Sequence, residues 1–412
     1  MKEKKQAAMG FIFITVLVDV IGWGLIIPVM PRLIAEMKHI PVNEASKDGG
    51  WLLMVYALMQ FVFAPVLGNL SDKYGRRPVL LFSLFGFGID YLFVALAPSF
   101  AWFFIGRIIS GITGASFTTA TAYIADISTA ETRAKNFGML GAAFGMGFII
   151  GPAFGGLLTG FGIRAPFYAA AILTLLNWLY GYFVLPESLG KENRREFSWK
   201  RANPVGSLMH LKKYPAIGGL VFSLVLVYLG AHAVQSNWSF FTVYRFQWSE
   251  KMVGLSLAVV GLLVAVVQGG LIRFINPKLG NEKSVYVGLC LYAAGMFLFA
   301  FATQSWMMFA FLLPYCLGGI AGPALQAIIA GHVPPNEQGE LQGALTGLMS
   351  LTSILGPFIM TGLFYYFTKS SNPVHFPGVS FLLGGLLMLG SAIIAYFTLK
   401  QEKTATAPQG QI

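Results

Sequence analysis

Charge is scarce in this sequence: Asp, Glu, Lys and Arg make up 11% of its 412 residues, against 56% hydrophobic residues. Soluble domains carry roughly 25% charged residues, so a water-soluble fold would lack polar surface. Cysteine is scarcer still. Cys290 and Cys316 both fall inside apolar runs and read as small packing residues, which excludes a disulfide framework and a thiolate metal pair. The five histidines are scattered and no HExxH occurs, so neither a metal nor a cofactor is expected. No His/Asp or Ser/His constellation stands out, which argues against an enzyme. Period-two alternation over ten-residue stretches is also missing, which argues against a membrane β-barrel.

What the chain does have is apolar runs near the length needed to cross a ~30 Å hydrocarbon core. Twelve spans are predicted, at 7–30, 49–68, 79–97, 101–124, 136–160, 164–185, 215–237, 252–273, 284–302, 305–330, 341–367 and 377–398. In lipid the backbone must satisfy its own hydrogen bonds, so these runs read as helices of an all-α integral membrane protein. The start, MKEKKQAAMGFIFITVLVDVIGWGLIIP, mimics a signal peptide. Its apolar part is too long, it contains Asp19 and no small-x-small site follows, so it reads as a retained first span.

Lys and Arg sort by side. With the N-terminus in the cytoplasm, 20 of the 28 lie inside and 7 outside, with Arg107 left within a span. The positive-inside rule then makes both termini cytoplasmic. The net charge of +11 is a topology signal, and no nucleic-acid partner is needed to account for it.

One long polar connection, 186–214, divides the spans six and six. The expected domains are an N-terminal six-helix bundle (1–185), a cytoplasmic linker (186–214), a C-terminal six-helix bundle (215–398) and a cytoplasmic tail (399–412). The halves repeat. Gly151-Pro152 maps to Gly356-Pro357, Lys73-Tyr74-Gly75 to Lys278-Leu279-Gly280 and Gly138 to Gly343, each at an offset of 205. GITG at 111–114 pairs with GIAG at 319–322, at an offset of 208. Two pseudo-symmetric six-helix bundles related by an axis along the membrane normal are the plan of major facilitator transporters.

Local stretches carry the same resemblance. GNLSDKYGRR (68–77) resembles the major facilitator signature between the second and third spans. GRIISGITGA (106–115) is similar to the family's fourth-span motif, with Arg107 in the arginine position. GFIIGPAFGG (147–156) is similar to the fifth-span motif of drug/proton antiporters. LVDVIGWGLIIPVMP (17–31), GIDYLFVALAP (88–98), LPES (185–188) and GELQGALTGLMSLTSILGP (339–357) resemble bacterial tetracycline-efflux antiporters. The likeness covers nearly the whole chain. It implies a proton-coupled antiporter of the bacterial inner membrane that exports amphipathic drugs and confers antibiotic resistance, with tetracycline-like cargo among them. Protons would be the coupling ion. A proton-coupled importer of a small nutrient is the alternative. The expected partners are the small-molecule cargo and membrane lipid, and one chain is sufficient for a transport path. One departure stands out: the ninth span lacks the acidic residue usual in such pumps, and Tyr292 occupies the matching position.

Three groups of residues follow. The resemblance implies a cytoplasmic gate of Gly68, Asp72, Gly75, Arg76, Arg77 and Asp126, with Gly151 and Pro152 kinking the fifth span. Arg76 would hold Asp126, Asp72 would sit near the eleventh span, and Gly68 would allow close backbone approach. Positive-inside sorting alone suffices for Lys73. The second group, Asp19, Asp90 and Arg107, lies within spans, where each ionisable residue costs roughly 2.5–3.5 kcal/mol and needs a partner or a wet cavity. Two readings stay open: an Asp19–Arg107 structural ion pair, or a proton carrier at Asp19 or Asp90 assisted by Arg107. The third group offers cargo contacts: Tyr56, Gln60, Tyr123, His232, Gln235, Asn237, Trp238 and Gln326, with Asn177, Tyr228 and Gln268 as further polar span residues. Gln60, Gln235 and Trp238 are favoured. Few permanent charges in the spans suit a large, partly apolar cargo.

Overall fold

The computed structural model describes residues 2–114, 116–199, 211, 214, 217–334 and 337–406. Much of the predicted linker (200–210, 212 and 213) and the end of the tail (407–412) lie outside the described residues. No strand occurs among those described. The chain opens with α1 (Lys2–Ile26), α2 (Met30–Lys38), α3 (Val42–Tyr74) and α4 (Arg76–Leu96). Then come α5 (Phe100–Thr113), α6 (Ser116–Ile127), α7 (Ala130–Leu158) and α8 (Ala165–Val184). The second half holds α9 (Gly218–Phe246), α10 (Glu250–Val266), α11 (Ile272–Ala300), α12 (Ser305–Leu317), α13 (Ala321–Gly331), α14 (Gln338–Thr368) and α15 (Val379–Thr406).

Among the described residues, 11 helical stretches are long and apolar enough to cross a bilayer, and one of them, Glu250–Ala300, runs for 51 residues. At 1.5 Å per residue that is about 75 Å, more than twice a ~30 Å core. It is two spans. Gly280 breaks it with φ 76° and ψ 160°. The twelve predicted spans are therefore all present. Gly75, at φ 107° and ψ 160°, joins α3 to α4 in the same way. The repeat read from Lys73-Tyr74-Gly75 and Lys278-Leu279-Gly280 thus extends to the backbone, because both turns need a left-handed φ that glycine adopts without a Cβ penalty.

Two predicted spans are interrupted. The fourth is α5 plus α6, with the break at Gly114. The tenth is α12 plus α13, joined by a 3-10 turn at Gly318–Ile320. Glycine costs a helix interior about 1 kcal/mol relative to alanine, and each break falls in a glycine-dense motif. The short helix α2 was not predicted. Pro31 starts it and His39, at φ 54°, ends it.

Contacts divide the chain into two compact units: Met1–Pro204 with Thr242–Gly261, and Val205–Phe241 with Leu262–Ile412. In the first, α1 lies against α7 and α8, α4 against α5 and α8, and α3 against α5. Phe11, Ile12, Val16, Leu80, Leu84, Tyr123 and Ile124 are part of its apolar core. Gly151-Pro152 is a point of close approach: a Cβ at Gly151 would stand 2.8 Å from the Ile21 carbonyl oxygen, and one at Gly24 2.8 Å from Pro152 Cδ. The Thr242–Gly261 segment is tied down by α2. Arg32 Nε lies 2.9 Å from Glu250 Oε1, and its Nη2 donates to the Trp248 carbonyl at 3.3 Å. In the second unit α11 lies against α15, α12 and α13. Trp238, Phe241, Phe299 and Phe381 meet edge to face at its centre.

Candidate functional site

Helix α5 brings Arg107 against α4, where its Nη2 donates to Asp90 Oδ2. The pair is dry: Asp90 is 1% and Arg107 7% exposed. The close approach depends on Gly106, because a Cβ there would sit 2.9 Å from Asp90 Oδ1. Asp19, on α1, faces the Ser116 hydroxyl at the start of α6. Its Oδ1 is shielded from solvent and has no hydrogen-bond partner among the described residues. The structural pairing considered from sequence, Asp19 with Arg107, is therefore corrected. Arg107 is held by Asp90, because residue 107 lies on the part of α5 that faces α4, while Asp19 meets α6. Tyr56 and Tyr91 lie within Coulombic range of all three charged groups. A Cβ on Gly22, one turn from Asp19, would meet the Tyr91 hydroxyl at 3.0 Å.

A second cluster surrounds the Gly75 turn. Arg76 Nε lies 3.1 Å from Asp126 Oδ2, as expected. Its Nη1 reaches Asp72 Oδ1 at 2.6 Å and donates to Ser71 Oγ at 2.6 Å. Arg77 Nη2 donates to the Tyr182 carbonyl at 2.6 Å. Sequence reasoning missed the hub, Glu187. Its carboxylate accepts the backbone N–H groups of Arg76 at 2.8 Å and Arg77 at 3.2 Å, the orphan donors at the start of α4. It also accepts those of Ser188 and Leu189, both at 3.0 Å. An anion at a helix N-terminus contributes about 0.3–1 kcal/mol at the surface. The start of the linker is tied to the same turn: Ser188 Oγ donates to Asp126 Oδ2 at 3.0 Å, and Arg195 N to the Asp72 carbonyl at 3.1 Å. The signal in the sequence was LPES itself, an acid placed just after an apolar span. A Cβ at Gly68 would meet nothing within 4 Å among the described residues, so the structure gives no close approach on that side of the glycine.

The cargo candidates separate into two sets. Tyr123 is fully buried and its hydroxyl donates to the Pro186 carbonyl at 2.8 Å, which fastens α6 to the linker. Trp238 is 1% exposed and sits within the aromatic centre of its unit. The others keep a polar group in play. Gln60 Nε2 donates to the Gly114 carbonyl at 3.1 Å and to Tyr56 Oη at 3.4 Å. Gln326 Nε2 donates to Tyr228 Oη at 3.0 Å. Gln235 is exposed, and the His232 ring lies against Gly356. Asn237 is fully buried, with neither end of its amide partnered among the described residues. Asn177 is buried in the same condition in α8.

Residues 12–289 and 246–411 match the Major Facilitator Superfamily. The chain is 41% identical to a tetracycline resistance protein, class C, of Escherichia coli, over 94% of this chain and 96% of that one. It is 40% identical to the class G tetracycline resistance protein of Vibrio anguillarum, over 90% and 92%. Among solved structures, the human organic anion transporter MFSD10 (TETRAN) is similar at a TM-score of 0.70 and 24% identity, covering 95% of this chain and 99% of that one, a likeness of fold.

Proposed function

The chain belongs to the Major Facilitator Superfamily, and from that premise we propose that it is a proton-driven antiporter exporting amphipathic drugs, tetracycline-like molecules among them. Membership makes it a multi-pass membrane transporter of small molecules and not an enzyme. The observation that carries the coupling is the division among the three charges in the first unit. Arg107 is committed to Asp90, and Asp19 is left beside them with no ion partner among the described residues. Asp19 is the carboxylate free to exchange a proton, and the Asp90–Arg107 pair is the fixed charge next to it. The Arg76–Asp126–Glu187 network holds the cytoplasmic end of the first unit in register during transport. Protons are the coupling ion, and no cofactor takes part. The chain works in a bacterial inner membrane with both termini in the cytoplasm, and a single copy provides the path.

Acid-loaded proteoliposomes test this reading. Tetracycline added outside should raise the internal pH as protons leave in exchange, and Asp19→Asn should abolish the response. Acidification of the lumen with uptake would establish the importer instead. Tetracycline movement with no proton flux would refute coupling.

A further inference from the structure

Helix α3 runs from α2 at one end of the first unit to the Gly75 turn at the other. The α2 end has a charged tie of its own. Arg32 Nε lies 2.9 Å from Glu250 Oε1, its Nη1 donates to Glu250 Oε2 at 3.4 Å, and its Nη2 donates to the Trp248 carbonyl at 3.3 Å. One guanidinium thus holds both the start of α10 and the turn that leads into it from α9. That turn is strained, because Gln247 sits at φ 54°, left-handed backbone that is unfavourable for a residue with a Cβ. Strain of this kind persists where the surroundings enforce it, and it clusters at switch regions. Behind the tie, α10 meets α7 along glycines. A Cβ on Gly156 would stand 2.5 Å from the Glu250 carbonyl oxygen, and one on Gly261 2.7 Å from Ile149 Cγ1. One on Gly254 would collide with the Pro152 carbonyl oxygen. Backbone lies against backbone along this seam. A packed interface does not deform continuously, so such a seam is either fitted or parted. The ion pair at its end is unequally wet: the Arg32 side chain is 41% exposed and that of Glu250 11%.

We propose that Arg32 and Glu250 form a releasable latch, which holds the α9–α10 corner against α7 and lets go when this end of the first unit opens during transport. With both termini cytoplasmic, this is the extracellular end. The latch works through its drier partner. Water can take over the bonds of Arg32, but it reaches Glu250 fully only when α10 draws away from α7. Removing Arg32 leaves the Glu250 charge nearly dry and without its ion partner, a state that parting the seam relieves. Removing both charges takes that drive away.

A thiol in the seam tests this. In a full-length parent carrying Cys290→Ala and Cys316→Ala, Val253→Cys places the thiol next to Gly254, at a fully buried position. In the protein purified in detergent, a bulky maleimide should label it slowly. Arg32→Gln should raise the labelling rate about tenfold, a buried-charge effect reduced by partial exposure, and adding Glu250→Gln should return most of the rise. A cysteine in place of Leu84, in the apolar core of the same unit, should stay unreactive in every background. A Val253→Cys thiol that labels equally with and without Arg32 overturns the latch. So does a rise that Glu250→Gln leaves in place, since loosened packing alone would not depend on the glutamate charge. Labelling of Leu84→Cys together with Val253→Cys overturns it too, because the unit would then be unfolding and not opening at one end. The assay uses neither drug nor proton gradient, so each of these failures leaves the export reading standing.

Discussion

The break at Gly114 in the first unit and the break at Gly318–Ile320 in the second come from repeated motifs, yet they are finished differently. The first is tied off. Gln60 donates to Gly114, and Ser116, just past the break, faces Asp19, with the Asp90–Arg107 pair beside them. The second has no carboxylate or guanidinium beside it among the described residues. Its neighbours are Gln268, Tyr292, Tyr315 and Cys316, and two of its donors are uncommitted. A duplicated backbone device has been furnished with charge in one unit and with neutral donors in the other. Proton exchange and cargo recognition can then be carried by different halves of the molecule.

The sharpest way to break that contrast is at the ion pair. Asp90→Asn leaves Arg107 charged and buried, and should cost about 3–5 kcal/mol in thermal unfolding of the solubilised protein. Adding Arg107→Gln should restore much of the loss, whereas no substitution at Tyr292 or Gln268 should approach it. Next comes Asp19→Asn, for which proton-driven tetracycline transport should fall by at least about a hundredfold, some 2.7 kcal/mol. Equal losses from Asp19→Asn and Tyr292→Phe would erase the division between the units.

The two glycine turns offer a finer comparison. Gly75→Ala and Gly280→Ala both force a Cβ into left-handed backbone, at about 1–2 kcal/mol. The alanine at 75 would also collide with the Glu187 carboxylate, whereas a Cβ at Gly280 would meet nothing within 4 Å among the described residues. Gly75→Ala should therefore lower the unfolding temperature more. The smallest effects are the most diagnostic. Gln60→Leu should lower stability by about 1 kcal/mol through loss of its hydrogen bond to the Gly114 carbonyl, read in thermal unfolding of the solubilised protein. An unchanged unfolding temperature in Gln60→Leu would contradict the tying-off of the first break.

Much of this architecture is legible in the sequence because lipid enforces it. Run length marks the spans, Lys and Arg mark the sides, and a fixed offset exposes the duplication. The interruptions at Gly114 and Gly318 are not legible in this way, since GITG and GIAG are as apolar as the helices around them. Nor is the partner of Arg107, because span order does not say which helix faces meet. The burial of Tyr123 and Trp238 is hidden for a related reason: a polar-tipped aromatic in a span looks the same in sequence whether it closes a core or lines a cavity. Glu187 escaped notice because its role is to cap another helix 110 residues away.

Tyr74 ends one helix and Arg76 begins the next, so Gly75 is the whole connection between them. A joint one residue long has no slack. The spans it links cannot slide along each other, and a single inserted residue would turn one helix by about 100° against its neighbours. The parts that shift when such a protein works are then fastened pairs, and the chain tolerates changes of length nearly anywhere sooner than at these two corners.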